Sequence, residues 1–309
     1  MPKSSQALSI VICGYKFSQF NIIILENLKK ISEEWEIIFV DNNLDKKESI
    51  LLKNFLKEKI DIKINYLHCP IAGVGPSRDL ATKYCKNELI IYLDVDDSII
   101  NSEQIKKLVK EHLKNKIDLT LSPIKTLKNS KFKPSYIPQS LKEFKLEKYL
   151  TMTGQYNILL NKKVLKKIDW GYYNFSTAEF GSYFVMRCIN ANFKVAVSPI
   201  SIFKYNESNF NSITRQKKSD YRLNELCLFH LLCIQEFCNA PNQNSLLLNP
   251  YIFIKLLLVI YYSLFKIENH IFLYYNVFKN DKYYKLIKNL IKIKIFSKRI
   301  KRKILSKIT

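Results

Sequence analysis

Between Leu8 and Pro123 the chain alternates short β-branched runs with longer amphipathic ones, and few folds accommodate that rhythm. Helices laid between successive strands bury both faces of a parallel sheet, so the pattern predicts an α/β fold built from βαβ units. Leu8 to Cys13, Glu36 to Val40, Ile62 to Leu67, Leu89 to Leu93 and Leu119 to Ser122 read as strands, the near-continuously apolar ones central. Helical spacing fills the gaps at Ser18 to Ile31, Lys46 to Lys59, Pro76 to Cys85 and Ser102 to Lys116. Ser102 is placed as an N-cap and Pro76 as a first-turn proline.

Open sheets of this kind bind ligands where the carboxyl ends of strands meet helix N-termini. That edge is polar here. The first strand runs into Gly14-Tyr15-Lys16, the second into Asp41-Asn42-Asn43 and the fourth into Asp94-Val95-Asp96-Asp97, while Gly73-Val74-Gly75 precedes the third helix. Alternate residues 94 and 96 share a side of an extended segment. Aspartates at such a strand end suit a hard divalent cation, Mn²⁺ or Mg²⁺, that keeps positions open for phosphate oxygens. Helix-cap and turn roles compete for the same residues.

Four of these segments, taken in order, resemble glycosyltransferase family 2. They are Ser9 to Lys16, Ile37 to Asn42, Gly73 to Ala81 with its Arg78, and Ile91 to Asp97, and their order and spacing agree across roughly the first 125 residues. The resemblance implies a GT-A fold, mostly parallel and flanked by helices, and transfer of a sugar from a nucleotide-diphosphate donor, with inversion as in that family's inverting members. It places Cys13 and Tyr15 in the first turn of a donor site and Asp41 at the base or ribose. Arg78 falls near the diphosphate, and Asp94 and Asp96, with Asp97 beside them, at ribose, phosphate and metal. The chain departs from the family at Cys13 and Gly14, where proline and threonine are frequent, and at Asp79, where asparagine follows the arginine. For Arg78 an ion pair with a neighbour such as Asp79 is the competing role.

Family members that invert use a carboxylate, often in a Glu-Asp pair opening a helix, to deprotonate the acceptor hydroxyl. Thr177-Ala178-Glu179-Phe180-Gly181-Ser182 is the nearest match. Glu179 is the expected base, with a helix first-turn role as its rival, and Asp169 is a second candidate. Trp170, Tyr172, Tyr173 and Phe175 crowd the same region, either as a sugar-stacking wall or as a packed lid or core. His68, His112, His230 and His270 have no spacing that suggests a metal site or triad.

From about Lys125 to Leu150 a Lys-, Ser- and Pro-containing stretch reads as loop, Glu179 to Ala191 as a helix and Lys194 to Val197 as a strand. Residues 1–215 are expected to form the GT-A domain, with a nucleotide-binding half to about 125 and an acceptor half after it. Residues 216–309 are expected to form a helical extension. Its apolar run from Pro250 to Tyr275, interrupted by Lys255, falls short of the roughly 20 apolar residues of a membrane span. Lys279 to Thr309 then carries a dozen Lys and Arg against one Asp, the pattern of a basic amphipathic helix.

The formal charge is +23 over 309 residues, which suits anionic partners. No helix-turn-helix, RNA-binding or finger signature accompanies it, so nucleic acid is not an expected partner. The expected partners are the nucleotide-sugar donor, a glycan or lipid-linked acceptor, and an anionic membrane surface met by the basic C-terminus. Seven cysteines without a C-x-x-C pair fit a reducing cytosol, and the first apolar run, Leu8 to Cys13, is too short for a signal-peptide core, so secretion is not expected. The expected location is therefore the cytoplasmic face of a membrane. A catalytically inactive binding or scaffold protein with the same fold is the alternative that the incomplete Glu-Asp pair raises.

Overall fold

The computed structural model describes residues 7–14, 21–31, 33–43, 45–59, 63–71, 73–126, 142–143, 156–170 and 180–205. All of them belong to the first of two compact units, Met1–Gln216. Tyr15, Lys16, Glu179, the aromatic residues at 172, 173 and 175, and every element expected beyond residue 205 lie outside the described residues.

Strands β1 (Leu8–Gly14), β2 (Glu36–Asp41), β3 (Ile64–His68) and β4 (Leu89–Asp94) alternate with helices α1 (Asn21–Lys29), α2 (Lys46–Lys59) and α3 (Val74–Tyr84). The chain continues through β5 (Ser98–Ile99), α4 (Ser102–Lys114), β6 (Leu119–Pro123), β7 (Lys125–Thr126) and β8 (Lys142–Glu143). Then come β9 (Tyr156–Asn161), a short α5 (Lys162–Leu165), α6 (Phe180–Asn190), β10 (Val195–Val197) and β11 (Phe203–Tyr205). Eight strands form one sheet in the order β3-β2-β1-β4-β9-β6-β10-β8, and β5, β11 and β7 form a smaller one.

The five strands expected between Leu8 and Ser122 and the sixth expected at Lys194 to Val197 are all present, and β3-β2-β1-β4 is parallel throughout. β9 was not among them. Its run Ile158-Leu159-Leu160 is too short for periodicity to separate strand from helix, and it enters antiparallel between β4 and β6. The sheet is therefore parallel on one side and mixed on the other.

Alternation along the strands assigns the core. Ile10, Ile12, Phe39, Ile91 and Leu93 join Ile24 and Leu28 of α1 and Ile105, Leu108 and Val109 of α4 in one buried cluster. Each such side chain contributes about 1.5–3 kcal/mol when fully buried. Val11, Ile38, Val40, Ile90 and Tyr92 are buried at the alternate positions, and α3 packs against β1 and β2.

Two helix starts differ from expectation. α4 is capped by Asn101, whose side chain accepts from the Gln104 N–H at 2.9 Å, one residue before the expected Ser102. α3 begins at Val74 rather than Pro76, because Gly73 supplies a backbone turn at φ 127° that side chains disfavour. Pro76 still falls in the first turn, where its missing N–H costs no helical hydrogen bond.

Candidate active site

Chain order places the site. From β1 the chain builds outward to β2 and β3, then returns to add β4 on the other side, so the carboxyl ends of β1 and β4 flank the point where strand order reverses. Register aligns Gly14 with Asp41, Asp41 with His68, and Cys13 with Asp94 at this edge. Val95 N–H donates to Cys13 O at 3.0 Å and Asn42 N–H to Gly14 O at 2.8 Å, tying the three strand ends together. Gly14 answers a packing demand. A Cβ there would lie 2.6 Å from Val95 Cβ, so the turn after β4 closes over β1 only because residue 14 has no side chain.

That turn separates the three aspartates. Asp97 N–H donates to Asp94 O at 3.0 Å, and Asn27 of α1 donates to Asp97 O at 2.7 Å while accepting from the Ile99 N–H at 2.7 Å. Asp97 is thereby buried, 3% exposed. The Asp94 side chain is 44% exposed, and Asp96 is partly exposed. Among the described residues no group of three or more His, Cys, Asp or Glu stands ready to hold a metal. The open donor set is thus a pair of carboxylates, hard oxygen donors, with Asp97 turned into the fold instead of completing a trio.

Arg78, on α3, reaches the same place. Its Nη2 donates to Asp94 Oδ1 at 3.3 Å, while its neighbour Asp79 accepts from the Trp170 N–H at 2.7 Å. Consecutive helical residues do not share a face, so the expected competition from Asp79 does not arise and Arg78 turns to the strand end.

The end of β2 is engaged by the protein itself. Asp41 is 0% exposed. Its Oδ1 accepts from Asn43 N–H at 2.9 Å and Asn43 Nδ2 at 2.6 Å, and its Oδ2 accepts from the Tyr66 hydroxyl at 2.7 Å. Burial and the adjacent Asp41 carboxylate hold the Tyr66 hydroxyl in its protonated, donating form. Asn42 fastens the loop leading to α3, donating to Cys69 O and Ile71 O and accepting from Gly73 N–H at 2.9 Å. Asp41, expected at a nucleoside, therefore stands behind the open edge. Tyr66 and Asn42 were missed because their roles depend on which strand lies beside which.

Cys13 is buried, and burial pushes its thiol up to about 12 against the opposing influence of Arg78. It remains protonated and adjoins the site through its carbonyl. Asp169 accepts from Arg187 Nη1 at 3.2 Å. Trp170, considered as part of a sugar-stacking wall, is 0% exposed and stacks on Phe184 with ring centroids 3.8 Å apart. The core role prevails there.

Residues 9–169 match the family described as Glycosyl transferase family 2, and the chain belongs to that family. It is a glycosyltransferase with a GT-A sheet. A comparison with curated proteins finds no match. Among solved structures, S. aureus TarS residues 1–349 in complex with UDP-GlcNAc is 17% identical, with TM-score 0.59 over 94% of this chain and 80% of that one. The same protein in complex with UDP gives 19% and 0.57, over 83% and 70%. The mannosyltransferase PcManGT from Pyrobaculum calidifontis, in complex with GDP-Man and Mn²⁺, gives 9% and 0.51, over 93% and 84%.

Proposed function

We propose that the chain transfers a sugar from a nucleoside diphosphate donor, UDP-linked in the first instance, to a glycan or lipid-linked acceptor of cell-surface polysaccharide synthesis, with inversion at the anomeric carbon. The observation that carries this reading is the meeting of Arg78 and Asp94, 3.3 Å apart, at the point where strand order reverses. A guanidinium and carboxylates at one strand end match the two parts of a metal-bound diphosphate. The UDP-GlcNAc and GDP-Man held by the structural relatives support a nucleotide donor of this kind.

In this reading Asp94 and Asp96 would hold Mn²⁺ or Mg²⁺, hard cations that fit their oxygen donors. Such an ion, when bound, neutralises charge on the diphosphate leaving group. Arg78 adds charge-assisted hydrogen bonds to the same oxygens, and the N-terminal end of α3 favours an anion close by. Asp41, Tyr66 and Asn42 keep the wall of the donor site in place. Glu179 takes the proton of the acceptor hydroxyl. Asp169 is the weaker choice as base, because Arg187 already holds its carboxylate. Among the described residues no helix is long and apolar enough to cross a membrane. Membrane attachment in this reading rests on the basic residues 279–309.

Calorimetric titration of UDP, GDP and CDP, each with and without Mn²⁺, on the wild type and an Asp96→Ala variant tests the donor site. Metal-dependent binding of one nucleotide, lost in the variant, is the expected result. A folded wild type that binds none of them sinks the reading in favour of a scaffold protein.

A further inference from the structure

The Arg78 guanidinium lies 4.7 Å from the centroid of the Trp170 ring and 5.2 Å from that of Tyr92. Only 13% of its side chain is exposed, and its Nε is buried without a hydrogen-bond partner. The enclosure is fastened from several elements. Trp170 stacks on Phe184 of α6 at an interplanar angle of 11° and meets Tyr92 edge-on at 5.0 Å. Its backbone N–H is held by Asp79, one residue beyond Arg78. Thr82 donates to Arg78 O at 2.8 Å, and its hydroxyl lies 2.9 Å from that of Tyr92.

A free arginine side chain has many rotamers to lose before it can grip an anion. Aromatic faces on a planar cation remove that freedom in advance and offset the desolvation of its buried N–H. We infer that Trp170 is a positioning residue for glycosyl transfer. Its ring holds the Arg78 guanidinium beside Asp94, so that an incoming diphosphate meets an oriented fork instead of a mobile charge. The inference rests on the donor-site reading above. It also makes the segment after β9, which carries Trp170, a condition for binding at the end of β4.

The test is calorimetric titration of UDP, GDP and CDP with Mn²⁺ on the wild type, Trp170→Phe, Trp170→Leu, Arg78→Lys and the Trp170→Leu/Arg78→Lys pair, with melting curves for each. For the nucleotide that the wild type binds, Trp170→Leu weakens affinity about tenfold and Trp170→Phe, which keeps an aromatic face, no more than about threefold. Arg78→Lys keeps the charge but loses the flat stacked cation, and falls as far as Trp170→Leu. The double variant is no weaker than the worse single one, because the two side chains act as a unit. A residue that only supports the fold would lower the Tm and leave affinity alone. That outcome, strictly additive losses, or an Arg78→Lys protein binding like the wild type each overturns the inference. Should Trp170→Leu not fold, Arg78→Lys against Trp170→Phe decides by itself. A folded wild type that binds no nucleotide overturns the donor-site reading and this inference together.

Discussion

The two ends of the large sheet both carry aspartates, and Asp118 at one end and Asp94 at the other are treated in opposite ways. At the amino end of β6, Asp118 pairs with Lys163, accepts from the Lys194 N–H at 2.8 Å, and lends its carbonyl to the Asn161 N–H at 2.9 Å. Burial would raise its carboxyl, but Lys163 and the Lys194 N–H prevail and hold it below its ordinary value. Beside it His112 is buried between Thr120, 2.8 Å away, and Asn161, 3.5 Å away. At the carboxyl end of β4, by contrast, Asp94 is 44% exposed and has one long contact with Arg78 at 3.3 Å. A polar group whose partners are all supplied by the fold stabilises the fold. One left open at a strand end is available for a ligand. Asp118 therefore does structural work at one end of the sheet, as Asp41 and Asp97 do at the other, and Asp94 is the carboxylate left open there.

The sharpest way to break this contrast is Asp96→Ala. If Asp96 ligates the metal as proposed, its loss is expected to remove several kcal/mol of transition-state stabilisation, at least about a hundredfold in kcat/KM. The Tm should hardly move. Steady-state donor turnover read beside a melting curve checks both halves, and a large fall in Tm would place Asp96 with the structural aspartates.

The next effect belongs to the other end. Burial lowers the His112 pKa from 6.5 to about 4, so the folded protein binds fewer protons than the unfolded chain between those values. Stability is complete above about pH 6.5 and declines as pH falls toward 4. The expected loss between pH 7 and pH 5 is about 2 kcal/mol. Urea unfolding at the two pH values measures it, and His112→Gln should flatten the difference; an unchanged slope would show that other groups carry it.

Gly14→Ala joins the two kinds of behaviour. Its Cβ would collide with Val95, which sits between Asp94 and Asp96. We expect overpacking to cost about 1–3 kcal/mol in urea unfolding, with nucleotide affinity falling alongside it. A stability loss with unchanged affinity would mean that the turn moves without disturbing its carboxylates. The smallest effect is Asn101→Ala, which removes the cap of α4, the helix that carries His112, and should cost about 1 kcal/mol with no change in donor affinity.

Much of this was legible beforehand where chemistry follows from local pattern. Four β-branched runs, three of them ending in polar residues, named the parallel half of the sheet and its ligand-binding edge, because a strand buried on both faces must be apolar along its length. The candidate site was legible at Asp94 and Asp96 for the same reason. Spacing pointed less well to Asp97 and Cys13, since a turn can direct successive side chains either outward or into the core. It could not reveal β9, whose apolar segment becomes a strand only between β4 and β6.

By itself, then, the sequence determined the βαβ rhythm, the strand ends that gather aspartates, and the family to which residues 9–169 belong. Those properties are written in periodicity and in the order of short motifs. Only the tertiary structure decided that Arg78 turns to Asp94 while Asp79 holds Trp170, that Tyr66 occupies Asp41, and that residue 14 must lack a side chain beneath Val95. Each of these joins residues distant along the chain. Such contacts depend on strand order and register, which local propensity does not encode.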